Sequence, residues 1–211
     1  RSAEVRERRQ NVPSQNGDVD ITIYGLRKFI KLALKGNVSI LSVLYTPSEF
    51  RLEKQLSINL SQWAWGNQLQ ALAPAFVSQA GIRSFIGYTT HQAERLKGTR
   101  GQKNVNRQAL VEAHGYDTKY AAHIFRLCIQ GIEYAQTGRL TLPLRPAERD
   151  IVQQVRDGKL TKENVLHIAT DTVTYLENAL RTTTLPPTPD VATIERWMLQ
   201  TYADSWRIFD K

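Results

Sequence analysis

Asp117-Thr-Lys-Tyr-Ala-Ala-His-Ile-Phe-Arg-Leu-Cys-Ile-Gln-Gly-Ile-Glu-Tyr-Ala-Gln136 is the stretch on which the fold turns. Its apolar residues recur with helical period, Asp117 is suited to start a helix, and Gly138 is suited to end one. A long helix over Asp117 to Gln136 is therefore predicted. Placing residues at about 100° per step from Lys119 puts His123 near 40°, Arg126 near −20° and Gln130 near 20°, a stripe roughly 60° wide. Ala121, Phe125, Cys128, Ile132 and Ala135 take the far side, and Ile124, Leu127 and Ile129 fill the flanks. Most of such a helix is buried, so its cations face either an anion-holding cleft or solvent as a basic stripe. Lys119 to Arg126 spans about 10 Å of axis, a reach suited to a polyphosphate or to two backbone phosphates.

Working outward, helical patterns are expected near 48–57, 67–78, 80–97, 146–157, 162–182 and 190–208. Pro186, Pro187 and Pro189 break the last two apart. Lys97 to Asn106 is rich in Gly, Arg, Lys and Asn and reads as a loop, and Arg139 to Pro143 as a short extended piece. Toward the start, Leu26, Phe29, Ile30, Ala33 and Leu34 share one face and Arg27, Lys28, Lys31 and Lys35 the other. This predicts a helix over 24–35 ended by Gly36 and Asn37, with a second apolar piece at 38–44 and a turn at 46–48. Before it, Asp18 to Tyr24 alternates with β-branched residues, a short strand with Asp18, Asp20 and Thr22 on one side. Residues 1–17 read as a flexible arm. The expected fold is mainly α, a bundle of seven to nine helices preceded by a short strand remnant. The domain boundary is placed at 23/24.

Composition narrows the function classes. Among the 211 residues, 28 Lys and Arg against 20 Asp and Glu give a net charge of +8, which attracts phosphate-rich partners. The single Cys128 makes no internal disulfide and reads as a buried, inert thiol. No run approaches the ~18 apolar residues of a membrane span, and the expected location is cytoplasmic with no membrane partner. His91, His114, His123 and His167 lack metal-ligand spacing, which argues against zinc. No phosphate-cradling Gly-rich loop, dinucleotide fingerprint or serine elbow is present. Trp63, Trp65, Trp197 and Trp206 read as core residues ahead of base-stacking ones. Asp18 and Asp20 could ligate a divalent metal or simply end a polar strand.

Asp18 to Asn37 together with Gly115-Tyr-Asp-Thr-Lys-Tyr-Ala-Ala-His-Ile-Phe-Arg126 resembles the DNA polymerase β superfamily of nucleotidyltransferases, in its RNA-repair-pathway type. The likeness extends through Lys103-Asn104-x-x-Arg107, Glu133, Thr137 to Leu142, Val155 to Leu160 and Leu185 to Asp190. The resemblance implies transfer of a nucleoside monophosphate from an NTP to a hydroxyl acceptor, RNA first, by two-metal phosphoryl transfer with Mg²⁺ or Mn²⁺. Asp20 is then the catalytic third carboxylate and a metal ligand, with Asp18 beside it. Lys119 and Arg126 then neutralise the β- and γ-phosphates, with His123 supporting them or reading the nucleotide. Tyr116 and Asp117 position Lys119 or meet the base or ribose, Lys103 and Arg107 close over the triphosphate or grip RNA, and the strand is a remnant of the family's α/β domain. The family's upstream Gly-Ser and Asp-x-Asp motifs have no counterpart in Arg1 to Gly17, so they are expected to precede Arg1, and activity depends on that segment. The alternatives are a non-catalytic helical nucleic-acid-binding module, and transfer of the nucleotide to a partner protein.

Overall fold

The computed structural model describes residues 22–47, 60–98 and 108–209. Among these it holds nine α-helices and no strand: α1 Leu26–Leu34, α2 Val38–Leu44, α3 Leu60–Ala71, α4 Gln79–Lys97, α5 Gln108–His114, α6 Thr118–Thr137, α7 Pro146–Arg156, α8 Lys162–Thr182 and α9 Val191–Phe209. A 3-10 turn over Ala73–Phe76 links α3 to α4. The expected helical bundle is what forms. Most of the expected strand, the arm at 1–17 and the pattern at 48–57 lie outside the described residues. Thr22 to Tyr24, the described part of the expected strand, is neither strand nor helix.

Local chemistry sets the boundaries. Asp117 caps α6, its carboxylate accepting from the Tyr120 amide at 3.0 Å, and Gly138 closes it at φ 67°. Thr161 caps α8 through Asn164, and Asn37 caps α2 through Ile40, turning the apolar piece at 38–44 into a helix. The pattern expected at 67–78 is corrected. The helix begins at Leu60 and stops at Ala71, because Pro74 has no N–H to continue the ladder and the chain tightens to a 3-10 turn. α5 was not anticipated; none of its residues is buried.

α6 is the hub. α4, α8 and α7 pack on it, α4 and α8 touch each other, and α9 rests on the 3-10 turn and α1. Two apolar clusters result. The larger joins α1, α2, α4, α8 and α9 to the C-terminal part of α6 through Ile30, Leu41, Phe76, Phe85, Leu127, Tyr134, Leu176 and Ile194. The smaller joins α7 and the start of α8 to its N-terminal part through Ala121, Ile124, Cys128, Val155 and Val165. Each fully buried Leu, Ile or Phe contributes about 1.5–3 kcal/mol. The helices approach closely at Gly81, where a Cβ would sit 2.4 Å from the Tyr134 ring, and at Gly131, where it would meet Leu176 and Phe85 at 3.1 and 3.3 Å. Of the expected core tryptophans, Trp197 packs against the larger cluster and donates to Gln68, whereas Trp206 is 67% exposed. Trp206 lies toward the C-terminal end of α9, its ring 6.3 Å from that of Tyr202. Cys128 is buried as read, and burial pushes its thiol pKa up. No described helix is long and apolar enough to cross a membrane.

Candidate functional site

Because α7 packs against the N-terminal part of α6, the charged edges of the two helices face each other across a groove of about 420 Å³. Lys119, His123 and Arg126 enter it from α6, and Arg149, Gln153 and Arg156 from α7; Ala122, Leu144 and Val152 form its apolar floor. Four permanent cations thus line one depression, and neither Asp nor Glu is among the lining residues. Among the described residues none of the four makes an ion pair. Uncompensated cations this close repel one another, so an anion entering the groove relieves that cost.

One of the cations is held in place by neutral neighbours. Arg126 donates to Nδ1 of His123 at 2.9 Å, and Nε2 of His123 lies 3.1 Å from the Tyr88 hydroxyl, with the two rings edge to face. A guanidinium has no acceptor, so this contact needs a lone pair on Nδ1 and puts the imidazole proton on Nε2, where it donates to Tyr88. Tyr88 orients His123, and His123 orients Arg126.

A second wall comes from the segment after α6. Glu133, 11% exposed, accepts from the Thr141 amide at 2.8 Å and from the Thr141 hydroxyl, and pairs with Arg145 at 3.0 Å. Arg145 also pairs with Glu148 of α7. The clamp fixes the segment 139–145, which contains a cis Leu142–Pro143 bond and no strand, beside the groove. Leu142, Pro143 and Leu144 then wall a second depression of about 380 Å³, with Val38, Ser39 and Ser42 of α2, Tyr88 of α4, and Leu127 and Gln130 of α6. His123, Arg126 and Leu144 belong to both depressions, so they are continuous.

Of the residues singled out from sequence, Lys119, His123 and Arg126 are brought together. Gln130, placed in the same stripe, is only 4% exposed and sits deeper, in the second depression. Tyr116 and Asp117 do not line the groove. Tyr116 is buried in the smaller cluster and donates to the Leu160 carbonyl, its pKa raised by burial and then by Glu163, while Asp117 caps α6. Asp18, Asp20, Lys103 and Arg107 lie outside the described residues. Among the described residues no group of three or more His, Cys, Asp or Glu could hold a metal ion. Sequence reasoning missed Arg149, Arg156 and Tyr88. The spacing of Arg149, Val152, Gln153 and Arg156 at i, i+3, i+4 and i+7 held the signal for α7. Tyr88 had none, because its role depends on how α4 packs.

A model of the family described as RNA repair pathway DNA polymerase beta matches residues 4–200. No curated protein matches the chain, and no solved structure does.

Proposed function

The chain belongs to the RNA repair pathway DNA polymerase beta family, and from that premise we propose that the groove between α6 and α7 holds the phosphates of a nucleoside triphosphate during nucleotidyl transfer. The observation that carries this reading is the set of four cations, Lys119, Arg126, Arg149 and Arg156, lining one depression free of carboxylates. In the reaction, a hydroxyl oxygen of the acceptor, an RNA end first, gives up its proton to solvent and bonds to the α-phosphorus. The bond from that phosphorus to the bridging oxygen breaks, and pyrophosphate leaves with the negative charge. Lys119 and the arginines stabilise the charge that gathers on the β- and γ-phosphates, an effect strongest when the donors are already in place. The Tyr88, His123 and Arg126 chain supplies that placement for one of them. Asp20 and Asp18, together with carboxylates outside the described helices, would hold the Mg²⁺ or Mn²⁺ that would supply further charge stabilisation to the reaction.

The test is calorimetric titration with inorganic tripolyphosphate and with an NTP, at several salt concentrations. Lys119→Ala/Arg126→Ala weakens both on the order of tenfold or more and lowers the salt slope by about two. Unchanged affinity and slope in this variant would sink the reading. Transfer of label from an α-labelled NTP to RNA, and not to protein, supports the RNA acceptor over a protein one. A steep salt slope for RNA with no NTP binding at all would favour the non-catalytic module.

A further inference from the structure

We propose that the second depression receives the nucleobase of the same molecule whose phosphates lie in the cationic groove, and that Gln130 reads the edge of that base. This rests on the phosphate assignment above and adds which end of the ligand goes where.

Gln130 carries the inference. It is 4% exposed, it lines the depression, and among the described residues its amide has no hydrogen-bond partner. Several polar groups around it are satisfied inside the chain, although the buried hydroxyls of Ser78 and Thr89 are not. Tyr134 exchanges hydrogen bonds with the backbone of Ser78, Tyr45 donates to the Gly138 carbonyl, and Glu133 binds Thr141 and Arg145. The Gln130 amide is not sealed from solvent but opens onto the cavity, where a polar group arriving from outside can meet it.

The walls say what that group is attached to. Val38, Leu127, Leu142, Pro143, Leu144 and the Tyr88 ring make an apolar slot, and no charged side chain but Arg126, at its mouth, lines it. At about 380 Å³ it lies near the low end of small-ligand pockets, which run roughly 300–1,000 Å³. It takes one ring system and not a run of nucleotides. A nucleobase is flat and apolar on its faces, with hydrogen-bonding groups confined to its edge. A Gln amide offers one donor and one acceptor side by side, and pairs with a base edge that presents the complement. The shared residues His123, Arg126 and Leu144 put the ribose at the junction of the two depressions.

The experiment compares tripolyphosphate with ATP, CTP, GTP and UTP on the full chain, using wild type, Gln130→Met and Ser39→Phe. Met keeps the length of the side chain and removes the amide. Ser39 is exposed on α2, so Phe there fills the slot from its rim without disturbing the core. The expected result is that wild type ranks the four nucleotides and binds the best of them at least tenfold more tightly than tripolyphosphate. Gln130→Met flattens the ranking, Ser39→Phe brings every nucleotide down to tripolyphosphate, and tripolyphosphate itself binds all three proteins alike. Equal affinity of wild type for all four nucleotides, or a ranking that survives Gln130→Met, overturns the base pocket and leaves the phosphate groove standing. Nucleotides ranked through Gln130 by a protein that does not bind tripolyphosphate keep the pocket and overturn the phosphate groove.

Discussion

The two ends of α6 are built from the same helix and do opposite things with their polar groups. Toward the C-terminal end Tyr134 is answered by Ser78, Glu133 by Thr141 and Arg145, the Tyr134 carbonyl by the Gly138 amide, and the Gly138 carbonyl by Tyr45. At the N-terminal end Lys119 and Arg126 face Arg149 and Arg156 with no carboxylate lining the space between them. A protein selected only for stability would pair those cations or set them apart. One end holds the fold together, and the other leaves its cations without a carboxylate between them.

That contrast can be broken from either side. The largest effect is expected at the open end: Arg149→Ala/Arg156→Ala lowers tripolyphosphate affinity about tenfold to a hundredfold by calorimetry, with a thermal midpoint within a degree or two of wild type. A large loss of stability would show that these arginines belong to the fold instead. At the closed end Tyr134→Phe leaves the amide and carbonyl of Ser78 without their buried partner. It costs about 1–3 kcal/mol in denaturant unfolding while leaving tripolyphosphate affinity alone. Glu133→Gln sharpens the boundary, since it removes the charge that holds Arg145 and loosens the wall of both depressions. A stability loss of roughly 0.5–1.5 kcal/mol should accompany a loss of affinity of only about two- to threefold.

The smallest effect is one of pH. Burial, helped by Tyr134 and opposed by Arg139, pushes the Tyr45 pKa up to about 12 from 10.0. A group whose pKa is raised on folding binds its proton more tightly in the native state. The stability from Tyr45 is therefore complete below pH 10 and is lost as the pH climbs toward 12. Tyr45→Phe should unfold with a shallower dependence on pH across that window. Tyr134, whose pKa is also raised, keeps part of the slope in place.

How much of this was legible in the sequence depended on whether the information was local. Helix α8 came out at 162–182 because a threonine cap and a sustained apolar period bracket it. The start of α3 did not, since Leu60-Ser-Gln-Trp-Ala-Trp-Gly-Asn has no apolar stripe to count. Neither did α5, which is short and buries nothing. At the site, Lys119, His123 and Arg126 followed from helical arithmetic on one segment. Their partners on α7 and the walls from α2 and α4 are set by packing between helices, which no single window of sequence contains. Gln130 shows the limit: its direction from the helix axis was readable, and its burial was not.

Cys128 gives the molecule a built-in clock. It is the only thiol, it lies midway along the hub helix, and it is 3% exposed. A neutral maleimide can reach it only when helices around α6 part, so the labelling rate counts openings of the smaller cluster. Because α7, which carries Arg149 and Arg156, packs on that cluster, a polyanion bridging the groove should slow the clock.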